Sequence, residues 1–149
     1  MDIGSGNGYP SSSLSNFAGH RFIIDGVTCN SMEGFLQSLK FESPDMQEYV
    51  CSLIGKMAKF KGKPKKWYTK QELYWRGKAI DRHSEEYQKL LDKAFKAMYD
   101  QSESFRKALK DSEGANLSHS IGKSDPKKTV LTNTEFLSRL RRLRENGTV

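Results

Sequence analysis

"NSMEGFLQSLKF", residues 30–41, reads as an amphipathic helix with two stripes. At about 3.6 residues per turn, Met32, Phe35, Leu36 and Leu39 recur at i, i+3, i+4 and i+7 and form one apolar face. Glu33, Gln37 and Lys40 recur at i, i+4 and i+7 and line up along a second stripe. With about 100° between successive residues, this polar row lies beside the apolar face, where a buried core meets a cleft. A carboxylate, an amide and an amine in that place are either a working surface or a solvated edge. If Asn30 is the N-cap, Glu33 is N3 and the two form a mixed capping box. Gln37 and Lys40 are then neighbours without a task. The spacing alone leaves both readings open.

On the amino-terminal side, "HRFIIDGVTC" places Asp25-Gly26 between two short β-favouring runs, a hairpin with a primed turn. Residues 1–13 are rich in Gly and Ser and predict a flexible arm, with residues 14–149 as one domain. On the carboxy-terminal side, Ser43 and Pro44 open a second helix as N-cap and first helical residue. Its expected apolar face is Met46, Tyr49, Val50, Leu53 and Ile54, with Gly55 as stop. A basic loop then runs to Trp67, and "TKQELYWRG" suits a short helix ending near Gly77. Ser84 caps a longer helix with Tyr87, Leu90, Leu91, Ala94, Phe95 and Met98 on its core face. "SESFRKALK" makes a shorter one around Phe105 and Leu109. A polar loop covers residues 111–128. Thr132 and Glu135 have capping-box spacing ahead of a last helix that uses Phe136, Leu140 and Leu143. The expected fold class is α+β, a mainly helical single domain with one small β-hairpin.

The composition narrows the function classes. A chain of 149 residues suits one domain that can bury a core without staples. Mean hydropathy of -0.73 and no apolar run near the roughly 20 residues of a membrane span argue against a membrane role. The first residues show neither a basic nor an apolar signal region, and two cysteines make no disulfide framework. A cytoplasmic location is the expectation. The net charge of +7, with a pI near 9.4, favours polyanionic partners. Much of it sits in "KMAKFKGKPKK" (residues 56–66) and "RLRRLR" (residues 139–144), each either a solvated face or the rim of an anion site.

Several familiar patterns are incomplete. "GSGNG" at residues 4–8 has neither a strand before it nor a helix after it, as a dinucleotide fingerprint requires. His20, His83 and His119 lack zinc-site spacing, so no metal is expected. Cys29 and Cys51 read as small core residues.

"SLSNF" (residues 13–17), "FIIDG" (residues 22–26) and "SMEGFLQSLKF" (residues 31–41) resemble, in order and at close spacing, the elements of the NADAR (YbiA-like) family of N-glycosidases. The family pattern is an L-S-N-F element, an I-D-G turn and an S-x-E-x-x-x-Q-x-x-K helix. The likeness runs from about Tyr9 to the carboxy terminus and is strong up to Phe41. The chain departs from the pattern in its last third: "LSHSIGKSDPKKTVLTNTEF" replaces an Asp before a Trp-Gly pair and a Gly-x-Asn-x-Leu-Gly run. Neither Trp67 nor Trp75 fills the late Trp position in sequence order.

The resemblance implies a YbiA-like fold and hydrolysis of the bond between ribose and a nitrogenous base. The favoured substrate is an ADP-ribosylated nucleobase, of guanine type, in a nucleotide or nucleic acid. A hydrolase of phosphoribosyl aminopyrimidines from riboflavin synthesis is the alternative, as is a binding module for ADP-ribose or nucleic acid that lacks catalysis. Such cleavage builds positive charge on the sugar carbon. Glu33 is the candidate to stabilise that charge or deprotonate water, and a helix start favours its ionised form. Lys40 can attack an opened ribose as an amine or hold phosphate as a fixed cation. Gln37 would orient sugar hydroxyls, with Asn16 and Phe17 approaching from the preceding loop. Trp75 offers either a stacking face for a base or a core ring, and Arg76 can meet a phosphate bidentately. This chemistry needs no cofactor.

Overall fold

The computed structural model describes all 149 residues. Strands β1 (Phe22–Ile24) and β2 (Val27–Cys29) pair antiparallel around a turn in which Asp25 and Gly26 take φ of 49° and 79°. Phe22, Ile24, Val27 and Cys29 point inward, while Ile23 and Thr28 face solvent. Helix α1 (Ser11–Leu14) precedes this hairpin and α2 (Met32–Ser38) follows it. All four apolar residues expected on α2 are buried.

Helix α3 (Pro44–Cys51) starts as expected, its Ser43 hydroxyl accepting from the Met46 N–H at 3.3 Å. Its inner face differs from the expectation: Gln47, Val50 and Cys51 are buried, whereas Tyr49 and Ile54 are exposed. A polar clip explains the difference. Gln47 Nε2 donates to the carbonyls of Ser38 (3.2 Å) and Tyr74 (2.7 Å), and its Oε1 accepts from the Arg76 N–H at 2.8 Å. Apolar periodicity does not reveal a buried side chain satisfied in this way.

The basic loop contains helix α4 (Lys56–Gly62), which buries only Ala58 and Gly62. After a 3₁₀ turn (Trp67–Thr69), a second hairpin replaces the expected short helix. It joins β3 (Glu72–Trp75) to β4 (Lys78–Asp81). Leu73 and Trp75 are buried and alternate with half-buried Glu72 and Tyr74, and Arg76 and Gly77 make the turn with φ of 51° and 84°. The period is 2, not 3.6. The Tyr74 N–H donates to the Leu39 carbonyl at 2.8 Å and hooks this hairpin to the end of α2.

Helix α5 (Glu85–Gln101) buries the six residues assigned to its core face. Helix α6 (Glu103–Asp111) adds Phe105, Ala108 and Leu109, and α7 (Asn133–Asn146) carries the Thr132–Glu135 capping box. One hydrophobic core joins these helices to α2 and both hairpins. The domain is an α+β, mainly helical one with two small hairpins.

A buried ion pair fastens the carboxy-terminal third. Arg82, 1% exposed, donates to both carboxylate oxygens of Glu135 (2.8 and 3.1 Å) and to the Thr129 carbonyl (3.0 Å). Its guanidinium carbon lies 4.8 Å from the Tyr87 ring centroid, and the Tyr87 hydroxyl donates to the Val130 carbonyl at 2.5 Å.

Two expectations about the chain's basic and terminal segments change. Residues 1–13 are docked, not free: Ile3 is fully buried and donates its N–H to Ser118, and the Asp2 carboxylate accepts from Ser118 and Ser120. Composition misses this because the groups that hold the segment, among them Asp111, Asn116, Ser118 and Ser120, lie far along the chain. In "RLRRLR", Arg139 is buried against Asp92 and Gln88, and Arg144 donates to the Ser112 and Ala115 carbonyls. Only Arg141 and Arg142 of that run's arginines are exposed. No helix is long and apolar enough to cross a membrane.

Candidate functional site

Ser31, not Asn30, caps α2. Its hydroxyl accepts from the Gly34 N–H at 3.0 Å and donates to the Leu53 carbonyl at 2.9 Å. Asn30 instead bonds the carbonyls of Cys51 and Ser52 at the exit of α3. Glu33 is therefore the second helical residue, one short of the capping-box position, and its carboxylate is free of that task. The capping reading of Glu33 does not hold.

Gly34 sets how closely this helix approaches α3. A Cβ there would lie 2.7, 2.9 and 3.0 Å from the carbonyl oxygens of Leu53, Val50 and Cys51. The preceding loop closes on the helix start, because the Glu33 N–H donates to the Asn16 carbonyl at 3.0 Å. Asn16 thus reaches the row through its backbone. The Phe17 ring lies against Gly55, and the Lys59 ammonium stands 6.0 Å from its centroid.

Along the row, Gln37 Nε2 donates to Glu33 Oε2 at 2.7 Å. Gln37 is 7% exposed, and its Oε1 is buried without a hydrogen-bond partner. That oxygen presses on α4 at Gly62, where a Cβ would fall 1.9 Å away. Glu33 and Lys40 are half-buried, and Lys40 forms no ion pair. Gln37, in the middle of the row, is covered by α4, while Glu33 and Lys40 at its ends keep partial exposure.

Burial raises the Glu33 carboxyl above its ordinary value, against the opposing effects of the Gln37 hydrogen bond and the Lys40 and Lys59 charges. The expected preference of a helix start for the carboxylate is outweighed. Burial lowers the Lys40 amine, against the attraction of Glu33 and with repulsion from Lys123 and Lys59. Desolvation thus shifts the acid up and the amine down, so that their proton affinities converge, a pattern common where protons move.

Glu33, Gln37 and Lys40 thus share the row, Asn16 meets it through its backbone carbonyl, and Phe17 packs at Gly55 near Lys59. Trp75 is a core ring: 7% exposed, edge-on to Phe35 at 5.1 Å, with its indole N–H donating to Asp25 at 2.8 Å. It offers no open face for a base. Arg76 is exposed in the second hairpin's turn on the Asp25 side, where its charge adds to the larger effect of Lys93 in lowering the Asp25 carboxyl. Sequence reasoning missed Gly62, which admits Gln37, and the nearby charges of Lys59 and Lys123. Lys59 was visible only as part of a basic run, and nothing in the sequence tied Lys123 to α2. Two surface depressions are lined by other residues, one by Arg21 and Ser104 among others, the second by His83 and Ser124. Neither includes the row, and the row's buried acid and amine make the stronger chemical candidate.

The family described as bacteriophage protein GP30.3 matches residues 8–145. An uncharacterized 17.1 kDa protein from the Gp30–rIII intergenic region of Enterobacteria phage T4 is 34% identical over 151 residues, covering 98% of this chain and 97% of its own. Among solved structures, the NMR structure of the E. coli protein YbiA aligns with a TM-score of 0.62 at 18% identity, over 97% of this chain and 82% of that one. The last likeness shows a YbiA-like fold. The matching family is described by its phage member and not as NADAR, so the NADAR motifs bear on function only as a resemblance. The chain belongs to the bacteriophage GP30.3 protein family.

Proposed function

We propose that this protein is an N-glycosidase that cleaves the bond between a ribose and a base, with an ADP-ribosylated nucleobase as the favoured substrate. The observation that carries the reading is the half-buried Glu33–Gln37–Lys40 row on a YbiA-like fold, with the acid raised and the amine lowered by burial. Glu33 accepts a proton from water as the water oxygen bonds to the ribose C1′. The C1′–N bond breaks and its electron pair leaves with the base. A carboxylate with a raised pKa is a stronger base than an ordinary one. Gln37 fixes the carboxylate through its 2.7 Å hydrogen bond. Lys40, shifted toward its neutral amine, is suited to attack the aldehyde carbon of an opened ribose and form an imine, the aldehyde oxygen leaving as water. The basic excess of the chain supports a polyanionic substrate.

The test is a panel assay of base release from ADP-ribosyl-guanosine, ADP-ribosylated DNA, NAD and aminopyrimidine ribosyl phosphates. Release by the wild type that is lost in Glu33→Gln supports the enzyme. Binding without release from any substrate, equal in both proteins, refutes it in favour of a binding module.

A further inference from the structure

Helix α4 turns its most apolar side chain toward solvent. Its buried stripe is Ala58 and Gly62. At about 100° per residue, the direction opposite that stripe is occupied by Phe60, which is 64% exposed. Met57, one turn earlier, is also 64% exposed, and Ile54 and Tyr49 are 46% and 51% exposed nearby in the chain. An aromatic ring at the outermost position of a surface helix does nothing for the core.

The same segment is densely basic. Between Gly55 and Gln71 the chain carries seven lysines and no acidic residue. None of the seven forms a salt bridge. Lys56 and Lys63 flank Phe60 on one side of the helix, and Lys61 lies on the other, its ammonium 5.6 Å from the Tyr49 ring centroid. Tyr68, 51% exposed, extends the aromatic series past Lys65 and Lys66. Exposed rings set among ammonium groups match a polymer that offers both phosphates and flat, unstacked bases. A duplex would offer its phosphates but keep its bases stacked, and an acidic peptide would offer charge without regular flat faces.

We infer that the outer face of α4, centred on Phe60 and flanked by Lys56, Lys61 and Lys63, binds single-stranded nucleic acid. The bases stack on Phe60 and the phosphates meet the lysines. This inference goes beyond the hydrolase reading and does not rest on it. Because α4 meets Gln37 through Gly62, on the stripe opposite Phe60, the helix itself stands between a strand on this face and the Glu33 row.

The experiment is fluorescence anisotropy of the full chain with an unmodified, labelled 15-nucleotide oligo(dT), at several salt concentrations. A duplex of equal length, heparin and vesicles with anionic lipid serve as comparisons. Phe60→Ala is expected to weaken oligo(dT) binding about 5- to 160-fold, the size of one base–aromatic stack, and to leave heparin binding unchanged. Phe60→Trp should retain the affinity. Lys56→Gln with Lys63→Gln should lower the salt slope by roughly 1.4, at about 0.7 per phosphate contact on a single strand. Unchanged oligo(dT) affinity in Phe60→Ala, with thermal unfolding equal to wild type, overturns the inference. So does tighter binding of duplex or heparin than of the single strand, or Phe60-dependent binding to vesicles alone. Since the strand is unmodified, no turnover enters the measurement, and failure of base release elsewhere leaves this result intact.

Discussion

Glu33→Gln is expected to abolish turnover and to make the protein more stable at neutral pH. An acid whose folded-state pKa lies above its unfolded value weakens the fold as pH rises, because the unfolded chain releases its proton first. Burial raises Glu33 from the ordinary 4.5 despite Gln37, Lys40 and Lys59. Its cost is therefore absent well below pH 4.5, grows above it, and is complete once pH exceeds the folded value. Glutamine keeps the shape and can still accept from Gln37 Nε2, now 2.7 Å from Glu33 Oε2. Replacing a charged hydrogen bond by a neutral one forfeits about 1 kcal/mol. Removing an incompletely compensated buried charge returns roughly 2 kcal/mol, at the low end of the several expected for one ion. The net gain is about 1 kcal/mol, or about 2–4 °C in Tm for a chain of this size. No cap is lost, because Ser31 holds that place. Urea unfolding of both proteins near pH 4 and at pH 7.5 makes the comparison, with base release measured in parallel. The curves should nearly coincide at the lower pH, with the variant ahead at the higher one. A variant about 1 kcal/mol less stable at pH 7.5 would refute the picture of an undercompensated buried carboxylate.

Gly62→Ala puts a methyl group 1.9 Å from Gln37 Oε1 and should displace the amide from Glu33. Because that hydrogen bond lowers the Glu33 pKa, the rise of base-release rate with pH should move to higher pH; an unmoved profile argues that Gln37 does not govern Glu33. Lys40→Arg should be as inactive as Lys40→Ala, since guanidinium stays protonated, and borohydride during turnover should trap a ribose adduct on Lys40. An active Lys40→Arg enzyme with no adduct removes the imine and leaves Glu33 acting through water. Arg82→Ala strands Glu135 beside the Tyr87 core and should cost about 3–5 kcal/mol in urea unfolding, whereas Arg142→Ala on the exposed face should change stability by less than about 0.5 kcal/mol.

The row on α2 was legible because helix periodicity places residues 33, 37 and 40 on one line whatever surrounds them. Its status was not, because the difference between Asn30 and Ser31 as cap is one residue, and local propensity accepts both. The core faces of α5 and α7 were legible for the same reason as α2: long, regular spacing with a Ser or Thr cap. The second hairpin was misread because Tyr74 and Trp75 are adjacent large rings, which obscures a period of 2. Docking of residues 1–13 and the roles of Arg139 and Arg144 depend on partners far along the chain. Composition cannot report these. The overlay of α4 on Gln37 depends on a side chain that is missing, the Cβ of Gly62, and only geometry exposes it.

The Arg82–Glu135 pair spans 53 positions of sequence, whereas α2, α3 and α4 lie together between residues 32 and 62. Closing a short loop costs less chain entropy than closing a long one, and local contacts form early in folding more readily than distant ones. The two regions therefore differ in the order of assembly they favour. The helix carrying Glu33 can find α3 and α4 while residues 112–132 are still unbound, and the guanidinium of Arg82 then draws that loop in last. The part of the molecule that carries the Glu33 row is thus the part that needs the least of the chain to take shape.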